Sequence, residues 1–265
     1  MSYTNLNYDY RRNRIIEPSQ LYAGSDIFHP TADQKYMLGC ILELANGDRF
    51  RYQEDDGTGR SKATMGQSSL PVSNWTEVAN ASGIAAVAGD TKLKVTLTTT
   101  RCYTDDFAEG WVIVMDTATP LGDMYLIKSN DVTGAGLTPI LQIADAGGIR
   151  EAIPITAELT ICKNKFKDTT VVPKAAGSSC PTGVPLVDVT ASYFFWAKTR
   201  GYAPLLVDGD DVVAGDPVGD TATAAVNGAC GVITACESAC IWGICAVENT
   251  SGETDQPAII DLQLE

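Results

Sequence analysis

Residues 38–52 read LGCILELANGDRFRY, two apolar-rich runs on either side of Asn46-Gly47-Asp48. Asn-Gly tolerates the positive φ that a short hairpin turn demands, so this stretch predicts a tight β-hairpin. Working outward, short segments of alternating or continuously apolar residues recur at 92–98, 110–116, 124–129, 139–143 and 157–163. An aromatic run, YFFW at 193–196, then leads through Arg200-Gly201 towards a turn at Asp208-Gly209-Asp210. The tail carries two more strand-like runs, CIWGICAVE and PAIIDLQLE, around the polar NTSGETD. Nothing sustains a 3.6-residue period over three turns, and 71–79 has room for a single helical turn. The sequence therefore predicts an all-β fold of sandwich-like or barrel-like domains with little helix.

At 265 residues the chain is long enough for one large β domain or two smaller ones, each able to bury a core without covalent staples. The expected division is an extended N-terminal arm over 1–22 and a β-rich domain over 23–170. A linker or long loop follows over 171–184, where VVPKAAGSSCPTGV is rich in Pro, Gly and Ser, and then a small C-terminal β-barrel or sandwich portion over 185–265. The arm has neither helix nor strand periodicity. It gathers Tyr8, Tyr10, Arg11, Arg12, Arg14, Ile15 and Ile16, aromatic, guanidinium and branched side chains that suit an interface with a neighbouring chain. These seven are the expected partner-binding residues.

Nineteen Lys and Arg stand against thirty-three Asp and Glu, a net charge of −14. Such a chain is repelled by phosphate backbones and anionic lipid, so nucleic acid and membrane are not expected partners. No run approaches the roughly 18 apolar residues of a membrane span, and the opening MSYTNLNYDYRRNRIIEPSQ lacks the apolar centre of a signal peptide. Synthesis in a cytoplasm is the expectation, with eight thiols reduced there. The sequons at Asn74, Asn80 and Asn249 are then read as ordinary turn residues.

Chemistry is hard to assemble from this sequence. The single histidine, His29, lies in SDIFHPTAD beside no nucleophile motif. Cys230, Cys236, Cys240 and Cys245 form a cluster without a CxxC pair, so no metal and no cofactor are expected. Asp55-Asp56, Asp105-Asp106 and Asp210-Asp211 are neighbours in sequence, which on a strand point to opposite faces, and they read as solvated turns. Gly57-Thr58-Gly59-Arg60-Ser61-Lys62 lacks the spacing of a phosphate loop. No enzymatic activity is expected.

The order of the motifs resembles a family of tailed-phage virion structural proteins. The likeness runs from the hairpin unit at 38–52 through DDFAEGWVIV at 105–114, MYLIKSN at 124–130 and YFFWAKTRG at 193–201, to the passage at 212–218 and the closing strand at 259–264. It implies a head decoration or cement protein located on the virion head surface. The major capsid protein would be its partner, and it would stabilise the shell by bridging capsid subunits. The C-terminal passage is also similar to the small β-barrel of trimeric capsid-stabilising proteins, which implies self-association as a homotrimer. The alternative function is a tail- or fibre-associated adhesion protein binding a host-surface glycan.

Overall fold

The computed structural model describes residues 15–16, 18–21, 24–80, 86–97, 99–115, 120–131, 138–174, 177–207, 212–220, 226–233, 240–248 and 256–265. Among these residues there is no α-helix, and strands dominate, as the sequence predicts. Helical geometry is confined to single 3-10 turns at Pro18–Gln20 and Ser73–Trp75.

The chain forms two compact units. One comprises Arg12–Leu70 with Lys165–Glu265, and the other is the continuous insertion Pro71–Asn164. This corrects the division expected at 171–184. The stretch there contains a strand of its own, because Val184 and Pro185 pair with Lys198 and Ala197, while Pro181 and Gly183 pair with Gln67 and Gly66. The C-terminal portion, 185–265, likewise shares one sheet with the N-terminal strands and is no separate domain.

The strands of the first unit are β1 (Ile15–Ile16), β2 (Ile41–Glu43), β3 (Arg49–Glu54) and β4 (Gly66–Gln67) before the insertion. The insertion holds β5 (Val78–Asn80), β6 (Lys92–Thr96), β7 (Trp111–Val114), β8 (Met124–Asn130), β9 (Ile140–Ile143) and β10 (Glu158–Cys162). After it come β11 (Thr170–Val171), β12 (Pro181–Pro185), β13 (Phe194–Leu206), β14 (Pro217–Gly219), β15 (Gly231–Val232), β16 (Ile241–Val247) and β17 (Pro257–Gln263).

In the first unit the main path of the sheet runs β1-β2-β3-β13-β17-β16-β14-β15, and β12 joins β13 to a small β4-β11 patch. The β2–β3 hairpin forms with Leu42 opposite Phe50. Its turn is one residue longer than the tight form: Gly47 N–H donates to Leu44 O, Leu44 N–H donates to Asp48 O, and Gly47 takes φ +87. That pattern is a type I turn closed by a left-handed glycine. Strand β13 carries the unit, since its first half pairs with β3 and its second half with β17. The register slips between Lys198 and Arg200, where Gly201 at φ +88 supplies a backbone bend that a side chain would resist. Leu42, Phe50, Tyr52 and Trp196 fill one core, and Leu205, Trp242, Ile260 and Leu262 another.

The inserted unit is a closed six-stranded barrel in the order β5-β6-β9-β8-β7-β10, every neighbouring pair antiparallel. Val95, Val112, Ile127, Leu141 and Leu159 point inward and are fully buried, and the Trp75 ring meets Phe107 edge-on at 4.8 Å between centroids. Closure leaves no open sheet edge in this unit. Asn80, read from the sequence as a turn residue, is instead a buried strand residue whose amide donates to Pro154 O at 3.1 Å.

Candidate interaction surfaces

Of the seven expected partner-binding residues, Tyr8, Tyr10, Arg11, Arg12 and Arg14 lie outside the described residues. Ile15 and Ile16 form β1, parallel to β2 with Ile15 opposite Ile41 and Ile16 opposite Leu42. Ile16 is buried in the core with Tyr36, Leu42 and Phe50. Its side chain therefore anchors the beginning of the sheet within its own chain.

A surface that the sequence did not single out lies on the outer wall of the barrel. Residues of β7 alternate, with Val112 and Val114 inside and Trp111 and Ile113 outside. Cross-strand register then sets Trp111 between Cys162 and Leu126, and Ile113 between Thr160 and Met124. Trp111, Met115 and Met124 are exposed, Met115 by 47%, and Ile113 and Leu126 are half-buried. An antiparallel strand with one wet face ordinarily alternates with polar residues, so the uninterrupted WVIVM at 111–115 was the available signal. Trp and Met on one rigid wall are the side chains that protein-binding surfaces favour.

The polar groups of the first unit serve its own architecture. Asp55 is buried, and its Oδ2 accepts N–H bonds from Gly57 at 3.1 Å, Gly59 at 2.9 Å and Ser192 at 3.3 Å. This corrects its reading as a solvated turn residue: the DDGTGR loop folds around the carboxylate. Arg60, also buried, donates from Nη2 to Thr169 Oγ1 at 2.9 Å and lies 5.1 Å from the centre of the Phe195 ring. Burial pushes its guanidinium down to about 10, against the opposing pull of Asp55 and Asp56. In the barrel, Asp106 Oδ2 accepts the Tyr103 N–H at 2.6 Å and Asp106 Oδ1 lies 3.8 Å from Lys163 Nζ. Asp210 and Asp211 are outside the described residues.

His29 Nδ1 lies 2.8 Å from Asp26 Oδ1 on an exposed loop. Burial acts to raise the Asp26 carboxyl, but bonds from the Phe28 N–H and His29 outweigh it and hold the group below its ordinary value. Cys230 and Cys245 are buried in the second core while Cys240 is exposed, and Cys236 is outside the described residues. Burial pushes the Cys230 thiol up to about 12. Among the described residues no three His, Cys, Asp or Glu side chains gather in a way that could hold a metal ion. No described helix is long and apolar enough to cross a membrane.

Compared with known protein families, with curated proteins and with solved structures, the chain matches none.

Proposed function

We propose that this chain is a non-enzymatic binding protein of a tailed-phage virion, a head decoration protein that holds the major capsid protein and stabilises the shell. The observation that carries the reading is the outer wall of the barrel, where Trp111, Ile113, Met115, Met124 and Leu126 offer an apolar, preformed contact surface. A closed barrel holds such a wall without reordering on binding, so little conformational entropy is lost when a partner covers it. The arm preceding Ile15 supplies a second contact of opposite character, with Arg11, Arg12 and Arg14 in a protein of net charge −14. Two linked contacts give slow release from modest interfaces, because the second forms at high effective concentration once the first is made.

The test compares heads assembled with and without the protein for occupancy and for DNA release on heating. The reading expects bound protein at many copies per head and release at lower temperature when it is missing. Identical release curves, with full occupancy confirmed on the control heads, overturn the cementing role. A second reading, adhesion to a host-surface glycan, is favoured by the exposed indole of Trp111, a side chain suited to stacking on a sugar ring. Retention of the chain on host-cell polysaccharide, abolished by Trp111→Ala, would select it.

A further inference from the structure

The first unit carries a second apolar face, and its charges point to what covers it. Strand β17 carries apolar residues on both sides: Ala258, Ile260 and Leu262 face the core, and on the opposite side, beside Asp261 and Gln263, Ile259 is 40% exposed. Register extends that outer side across three strands. Tyr202, Asp261 and Ile244 form one cross-strand row, and Pro204, Ile259 and Val247 form the next. Tyr202 is 64% exposed, Val247 52% and Ile244 41%. A sheet with one wet face would place polar residues at these positions, and aromatic and branched residues there mark a face that is covered on both sides.

Among the described residues of these three strands, two charged side chains interrupt this face, and they are of opposite sign. Asp261 stands opposite Tyr202, and Arg200 stands one row along on the neighbouring strand, opposite Gln263. Among the described residues neither makes an ion pair or a side-chain hydrogen bond. On its other side Arg200 faces Arg49, which is itself paired with Glu43 at 3.2 Å, so nothing in that strand neutralises it. The diagonal offset between Arg200 and Asp261 places their Cβ atoms roughly 7 Å apart, a span that a long side chain can bridge, yet the two make no ion pair with each other on the sheet.

We propose that this face binds a second copy of the same chain, face to face about a two-fold axis, with Arg200 of each copy paired to Asp261 of the other. A two-fold contact is self-complementary: if one residue touches another across it, the reverse contact forms as well. A cation and an anion that have no side-chain partner among the described residues, offset on an apolar face, meet that requirement. They are matched twice without a third partner. Two molecules of net charge −14 repel over most of their surfaces, and this face, where Arg200 balances Asp261, is one on which they can approach. The proposal is independent of the capsid reading, because it concerns only how the purified chain associates with itself.

The experiment is sedimentation of the full chain over a wide range of concentration, with circular dichroism and melting temperature recorded for every variant to establish that it folds. The wild type is expected to dimerise. Tyr202→Lys, at a largely exposed position, should raise the dissociation constant at least about tenfold. Arg200→Glu and Asp261→Lys should each weaken association about tenfold, and the double swap should return it to within about threefold of wild type. That restoration separates the intermolecular pair from a general loss of fold. A chain that stays monomeric at all concentrations, or a trimer indifferent to these substitutions, overturns the proposal. A folded monomer whose Tyr202 is shielded from solvent labelling would do the same and would assign the face to another part of the chain itself.

Discussion

Lys198 Nζ lies 2.6 Å from Asp48 Oδ2, joining the middle of β13 to the turn of the β2–β3 hairpin. The ammonium also donates to Tyr202 O at 2.6 Å and lies 5.6 Å from the centre of the Phe50 ring, and Lys198 as a whole is buried. The pair sits where β13 slips its register, so it fixes the hairpin against the strand that both halves of the sheet share.

Removing one partner leaves a buried charge uncompensated. Asp48→Asn should cost about 3 kcal/mol, the low end for a buried pair because Asp48 retains some contact with water. Asp48→Asn combined with Lys198→Met should recover more than half of that loss, since no charge is left stranded. Gly201→Ala should destabilise as well, because the new Cβ would meet the Asp48 side chain at a backbone φ of +88. Urea unfolding midpoints measure all three, and an Asp48→Asn midpoint equal to wild type would show that the pair contributes nothing.

The hairpin was legible in the sequence because Gly47 punctuates it, and β6 to β10 were legible because their apolar residues alternate over short runs. What holds the first unit together was not. Tyr52 lies opposite Trp196 and Phe50 opposite Lys198, pairings between segments on either side of the whole insertion, and local pattern carries no record of such partners. Strand β12 was hidden by proline at both of its ends, which reads as loop unless its pairing partners are known. Asp55 reads as a hydrophilic turn, and only the convergence of three backbone N–H groups explains its burial. Of the expected binding residues, Ile16 was recognisable as an anchor but not as a core residue. The apolar walls at Trp111 and Ile259 passed as ordinary strands, because outward and inward positions look alike until register is known.

Acid should act on the barrel through Asp123. Its carboxylate accepts the Tyr125 hydroxyl at 2.5 Å and Arg150 Nη2 at 3.0 Å, and these bonds hold it below its ordinary value of 3.8, the tyrosine contributing most. A carboxyl lowered in the folded state stabilises it above the unfolded pKa, and that contribution is lost as pH falls from about 3.8 through the folded value. The site is open to water, so the effect is small. Asp123→Asn should flatten the acid limb of the melting temperature against pH below 4 and leave the slope above pH 5 unchanged. Parallel curves for variant and wild type across the acid limb would count against the assignment.

Six of the eight thiols should divide into two classes on alkylation of the native protein. Cys162, Cys180 and Cys240 are exposed, whereas Cys102, Cys230 and Cys245 are buried. Burial pushes Cys102 up to about 11 and Cys230 up to about 12, so at pH 8 almost none of either is thiolate even when reagent reaches it. Mass spectrometry after brief iodoacetamide treatment should find the first three modified and the second three protected until denaturant is added. Modification of Cys230 as fast as Cys240 would contradict the burial of the second core.

The insertion should fold without its host. Its six strands close on themselves, so each ladder hydrogen bond of the barrel is made within Pro71–Asn164. Glu158 lies opposite Ala79 and Leu159 opposite Val78, so the chain enters β5 and leaves β10 at the same end of the barrel. Neighbouring entry and exit points allow a domain to be inserted into, or cut from, another without strain. The interior is provided by residues of the same segment, Trp75 and Phe107 through Leu159 and Ile161. Residues 71–164 expressed alone should therefore unfold cooperatively, with a stability of about 5 to 10 kcal/mol, the range for a unit of this size. Trp75 is buried and Trp111 exposed, so the fragment's fluorescence should combine a blue-shifted and a solvated component, and unfolding should remove only the first. A fragment with no cooperative transition, or with both tryptophans solvated before denaturant is added, would show that the closed barrel needs Arg12–Leu70 or Lys165–Glu265 to form.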